Sequence, residues 1–91
     1  MTKTLDIMVS GRVQGVFYRQ TTREKAGELG LKGKVMNLDD GNVRIIVTGD
    51  EEKLLPFVEW CKKGPPKALV TGIQVSEVPL QSFESFKIER H

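Results

Sequence analysis

The chain has 91 residues, 38% of them hydrophobic and 29% charged, with a formal net charge of +2. That length suits one domain with one modest core, and the charge falls far short of the dense basic stripe of a duplex-binding surface, so no nucleic-acid partner is expected. The single cysteine, Cys61, excludes an internal disulfide framework and fits a reducing, cytoplasmic setting, while the single histidine, His91, excludes His-rich metal sites, Ser-His-Asp triads and Cys-His pairs.

Leu5–Ser10 alternates apolar and other residues, which predicts a strand with Leu5, Ile7 and Val9 on one face. Gly11 and Gly15 interrupt it. From Phe17 to Leu29 the period turns helical, with Tyr18, Thr22, Ala26 and Leu29 on one side and Gly30 at the C-terminal cap. A second strand is expected over Gly33–Leu38, then a tight hairpin at Asp40-Gly41, where both residues tolerate positive φ. Asn42–Thr48 returns, with Val43, Ile45 and Val47 sharing a face. Asp50 is placed to cap a second helix, and Glu51 and Glu52 put negative charge on its first turn. That helix is expected to run to Lys63 on a core stripe of Leu54, Val58 and Cys61, with Phe57 beside the stripe and Trp60 off it. Pro56 should bend or loosen it, and Gly64-Pro65-Pro66 should stop it. Leu69–Val78 and Ser85–Arg90 read as two further strands.

Strand, helix, strand, strand, helix, strand, with a terminal strand added, is the order of a split β-α-β pair. The expected fold is the α+β, ferredoxin-like plait: an antiparallel sheet with two helices on one face. Without repeats or linkers, residues 1–91 read as a single domain. No apolar run approaches the ~20 residues of a membrane helix, and Met1–Asp6 lacks the apolar stretch of a signal peptide, so no membrane partner is expected.

Charge is unevenly spread. Residues 1–44 hold eight Lys/Arg against five Asp/Glu, a net of +3, and residues 45–91 hold six against seven, a net of −1. Within the basic half, Gly11–Arg19 joins a strand to a helix N-terminus through two glycines, a geometry in which amide N–H groups converge at the positive pole of the helix. Such a concavity suits a phosphate or carboxylate, with Arg19 on the first turn able to clamp it bidentately. The spacing is neither a Walker A loop nor Gly-x-Gly-x-x-Gly. On pattern alone, an anion cradle and a plain tight turn are both open.

The run Gly11-Arg12-Val13-Gln14-Gly15-Val16-Phe17-Tyr18-Arg19 closely resembles the signature of the acylphosphatases, small enzymes that hydrolyse carboxyl-phosphate anhydrides. Gly33-Lys34-Val35-Met36-Asn37 with Asp40-Gly41 and Val43 resembles the family's second motif, and Gly64–Val70 and Phe86-Lys87-Ile88 match its habits. The resemblance spans Leu5 to Arg90 and implies the same α/β plait. It implies that the loop from Gly11 to Tyr18 cradles phosphate with backbone amides, that Arg19 holds the phosphoryl group, and that Asn37 orients the attacking water. The implied substrate is a small acyl phosphate, such as acetyl or carbamoyl phosphate or a glycolytic acyl phosphate. Because the leaving group is a carboxylate of low pKa, no strong general acid is needed, and no metal or other cofactor is implied. Lys34 and Met36 depart from the family's usual aromatic and basic residues beside Asn37, which bears on rate or affinity rather than reaction class.

Other residues receive plainer readings. Arg12 reads as a solvated loop charge, Lys34 and Arg44 as surface charges able to enrich the field around the site, Tyr18 as core and Cys61 as an inert buried thiol. Asp39 and Asp40 read as hairpin residues. Two rival functions are a binding module on the same plait, and an inactive relative that keeps only anion binding. An RNA-recognition domain would carry aromatics on its third strand, where this chain has Asn42-Val43-Arg44-Ile45-Ile46-Val47-Thr48. A monomer is expected of so small and charged a domain.

Overall fold

The computed structural model describes residues 1–90, so His91 lies outside the described residues. In chain order the elements are β1 (Thr2–Arg12), α1 (Tyr18–Glu28), β2 (Lys32–Asn37), β3 (Val43–Asp50), α2 (Glu51–Lys63), β4 (Leu69–Val78) and β5 (Phe86–Glu89). The strands form one sheet in the order β4-β1-β3-β2-β5. Both helices pack on the face built by Ile7, Val9, Val35, Val43, Ile45 and Val47, all fully buried, and α2 inserts Phe57 and Cys61 among them. This is the expected ferredoxin-like α+β plait.

Two strands differ from expectation in length, and the reason is pairing. β1 lies between β3 and β4 and is hydrogen-bonded along both edges. It therefore extends past the alternating run, and Gly11 and Arg12 belong to the strand, opposite Val70 and Leu69, after a register shift between Ser10 and Gly11. A Cβ on Gly11 would collide with the Leu69 carbonyl oxygen and lie 2.8 Å from the Thr71 amide nitrogen, so only glycine lets the two backbones approach there. β3 likewise runs on to Asp50, whose carboxylate accepts from the Glu52 N–H at 3.2 Å and caps α2 as expected.

The sheet is antiparallel in β4, β1, β3 and β2, but β5 pairs parallel to β2, which corrects the expectation of a wholly antiparallel sheet. The cause is the route of the 79–85 connector. β4 ends where β1 begins, with Val78 opposite Thr4, and the chain crosses the sheet at that end. The Gln81 N–H donates to Thr4 Oγ1 at 2.9 Å, and the Thr48 hydroxyl donates to the Gln81 carbonyl at 2.8 Å. β5 thus enters from the end at which β2 starts, and must run with it.

Three local expectations are adjusted. The hairpin between β2 and β3 is a five-residue connection, 38–42, in which Gly41 alone takes positive φ. Asp40 instead turns its carboxylate onto the Asn42 N–H at 2.9 Å. On α2 the buried stripe is Leu54, Phe57 and Cys61, while Val58 is half-buried on the flank, because α2 aims Phe57 straight into the sheet. The helix also continues unbroken through Pro56.

Cys61 and Tyr18 make the core sensitive to alkali. Burial pushes the thiol up to about 12 from its ordinary 9.0, and burial likewise pushes the Tyr18 phenol well above its usual range. Both groups stay neutral in the fold and ionise first in the unfolded chain, so their stability is complete below about pH 9 and falls as pH rises. Urea unfolding should show a loss of about 2 kcal/mol between pH 9 and 10.5 from the thiol alone. Cys61→Ala should flatten that slope. An unchanged slope in the variant would show that the thiol is not its source.

Candidate active site

A cleft of about 450 Å³ opens between the N-terminal turns of α1 and the ends of β2 and β5. Its walls include Val13, Gly15, Phe17, Tyr18 and Arg19 from the β1–α1 segment, Gln20 and Arg23 from further along α1, Asn37 from the last position of β2, and Ile88 and Arg90 at β5.

The loop is shaped by alternating backbone hand. Gly15 has φ 75° and Phe17 has φ 64°, ψ 20°, both left-handed, with Val16 between them at negative φ. Such alternation turns successive amides toward one point and forms an anion-binding concavity. Phe17 is the only non-glycine residue at positive φ among the described residues, and it is 68% exposed. A bulky residue held there without burial is in a strained conformation, of the kind that clusters at functional sites.

Phe17 is also the N-cap of α1, and it makes no side-chain cap hydrogen bond; the first turn of α1 carries no acidic residue either. α2 differs on both counts, being capped by Asp50 and led by Glu51 and Glu52. The first-turn N–H groups of α1 and the positive pole of its dipole are therefore left for an external anion. Packing holds this turn in place. The Tyr18 hydroxyl donates to the Cys61 carbonyl at 2.8 Å, its ring lies 5.6 Å from that of Trp60, and Thr22 donates to the Tyr18 carbonyl at 2.7 Å. Arg19, next in the chain, is half-buried and lines the cleft.

Asn37 reaches the same cleft from the sheet. It shares the helix-covered face with Val35 and pairs in register with Val43. Gln14 joins the two walls: its Nε2 donates to the Leu38 carbonyl at 2.8 Å and to the Asn42 carbonyl at 2.9 Å, tying the loop to the β2–β3 hairpin.

Of the loop residues predicted from sequence, Val13, Gly15, Phe17, Tyr18 and Arg19 line the cleft; Gly11, Arg12, Gln14 and Val16 do not. Gly11 serves strand pairing, Arg12 is exposed at the end of β1, Gln14 is the tether and Val16 is buried. Lys34 and Arg44 fall on the sheet face away from the helices. Lys34 faces Glu89 at 3.3 Å, and Arg44 grips Asp6 through Nε at 3.1 Å and Nη2 at 2.7 Å, so neither enriches the field of the cleft. Met36 is buried on that same far face. Two cations that the sequence reading passed over, Arg23 and Arg90, line the cleft instead. Arg23 was findable, since it lies four residues after Arg19 and shares its helix face. Among the described residues, no three His, Cys, Asp or Glu side chains are grouped to hold a metal ion, and no helix is long and apolar enough to cross a membrane.

Residues 5–88 match the family model described as Acylphosphatase. The chain is 45% identical over 89 residues to an acylphosphatase from Methylococcus capsulatus, covering 97% of each chain. Among solved structures, an acylphosphatase from Bacillus subtilis superposes with a TM-score of 0.93 at 41% identity, covering 99% of this chain and 100% of that one. One from Coxiella burnetii gives 0.94 at 35% identity, covering 97% and 93%.

Proposed function

The chain belongs to the acylphosphatase family and hydrolyses acyl phosphates, and on that premise we propose how its residues divide the work. The observation that carries the proposal is the meeting, in one cleft, of an uncapped helix pole, Arg19 and Asn37.

The phosphoryl group enters the concavity between Gly15 and the first turn of α1. Amide N–H groups and the Arg19 guanidinium hold its non-bridging oxygens, on which charge is concentrated in the transition state. The Asn37 amide orients a water in line with the anhydride bond. The water oxygen attacks phosphorus, the bond from phosphorus to the bridging oxygen breaks, and that oxygen leaves with its electron pair as a carboxylate. The proton released by the water passes to a phosphate oxygen. Asn37 does not titrate in this range, so its part is positioning. The other loop residues act indirectly: Gln14 holds the two walls together, and Val13 and Val16 set the loop from below. Gly11 fixes where the loop leaves β1, and Arg12 is a solvated charge at the end of that strand.

The same reading takes residues 1–91 as one domain, acting as a monomer in the cytoplasm without nucleic acid. Its supports are that one chain supplies every wall of the cleft, that Cys61 is a free buried thiol, and that β3 carries no aromatic side chain. The test is hydrolysis of acetyl phosphate by the purified chain in excess chelator. Release of inorganic phosphate at the rate seen without chelator is expected. A rate no greater than the spontaneous one would sink the reading, and phosphate binding without turnover would mark an inactive relative.

A further inference from the structure

Arg19 and the α1 pole suffice for one phosphoryl group, yet the cleft holds two more guanidinium side chains, those of Arg23 and Arg90. Five cations elsewhere face a carboxylate at 2.7 to 3.7 Å, and six others, among them Lys53 and Lys87, have no ion pair among the described residues, so what sets Arg23 and Arg90 apart is that they share one concavity with Arg19. Among the described residues, Arg23 and Arg90 have no ion pair and no carboxylate lines the cleft with them. Concentrating like charge in one concavity is unfavourable unless an anion answers it.

The positions extend away from the phosphoryl end. Arg23 stands four residues beyond Arg19, about 6 Å further along the α1 axis. Arg90 comes from the opposite wall, just past β5, and exposed Phe17 and the side chain of Ile88 flank the space. We propose that Arg23 and Arg90 determine substrate specificity by binding a second anionic group, a carboxylate or phosphate, carried on the acyl part of the acyl phosphate. This rests on the hydrolytic reading above and deepens it: the preferred substrates are acyl phosphates that are anionic at both ends.

Benzoyl phosphate and 4-carboxybenzoyl phosphate form a matched pair, alike except for the distal carboxylate. The wild type should favour the carboxylated substrate about 10-fold in kcat/KM, mostly through KM, as charge-assisted hydrogen bonds from two solvent-exposed guanidinium groups allow. The Arg23→Gln/Arg90→Gln double variant should bring the ratio of the two kcat/KM values to within about 2-fold of unity. A Lys53→Gln/Lys87→Gln variant, which removes the same charge outside the cleft, should keep the wild-type ratio. In the wild type the preference should shrink as salt rises from 0.05 to 1 M, a readout that needs no variant. Equal kcat/KM for the two substrates, or a preference that survives in the arginine double variant, overturns the proposal. So does its collapse in the lysine variant, which would make it a property of net charge. Failure to hydrolyse either substrate strikes the hydrolytic reading itself, so the two failures are told apart.

Discussion

Arg19→Ala is expected to lower kcat/KM for acetyl phosphate by about 10³-fold or more while leaving the fold intact. Removing a preorganised donor from a developing oxyanion costs about 10²–10³ in rate, and a bidentate guanidinium supplies two donors with a full charge. Arg19 is half-buried at the first turn of α1, where Tyr18 and Thr22 provide the packing, so the circular dichroism spectrum and unfolding midpoint should change little. Inorganic phosphate supplies a second readout. It should raise the unfolding temperature of the wild type, by mass action, and raise that of Arg19→Ala far less. Arg19→Lys should recover only a small part of the rate, since an ammonium is a point charge without the planar fork. Near-wild-type turnover in a folded Arg19→Ala protein would remove Arg19 from the proposed role.

Asn37→Ala should reduce kcat by about 10²–10³-fold with KM nearly unchanged. A group that positions water acts on the transition state and contributes little to binding the ground state, so the loss falls on kcat. Asn37→Asp is the sharper variant. It keeps size and places a carboxylate beside the phosphoryl oxygens, and like-charge repulsion should raise KM as well as lower kcat. A fall in kcat/KM carried wholly by KM in Asn37→Ala would assign Asn37 to substrate binding instead. Steady-state kinetics on acetyl phosphate, with circular dichroism to verify folding, separates these outcomes.

The elements were legible wherever periodicity was strong. Leu5, Ile7 and Val9 alternate, Tyr18, Thr22 and Ala26 repeat at helical spacing, and Asp50 caps α2 as its position predicts. Less legible were features decided by a partner distant in sequence. Gly11 reads as a loop residue until β4 pairs with it, and Val58 reads as core until the orientation of α2 puts Phe57 there instead. The direction of β5 follows from a connector held by Thr4 and Thr48, residues more than 30 positions from Gln81.

For the site, the sequence by itself determined the parts that are local. The strand–loop–helix junction from Gly11 to Arg19 carries its own backbone logic, which leaves an anion cradle and a tight turn both open, and its resemblance to the acylphosphatase signature is what implies phosphate before any fold is known. The tertiary structure alone decided what meets that loop. It brings Asn37 to the cleft through β2, ties the hairpin to the loop through Gln14, and turns Lys34 and Arg44 to the far face, where Glu89 and Asp6 engage them. It also delivers Arg90 to the wall opposite Arg23. The physical reason is that strand alternation sets which face a residue takes, but the sheet order and the path of the chain set which face holds the cleft. Two of the three cations of the cleft, Arg19 and Arg23, come from the basic half of the sequence through α1, and Arg90 comes from the other half, just past β5.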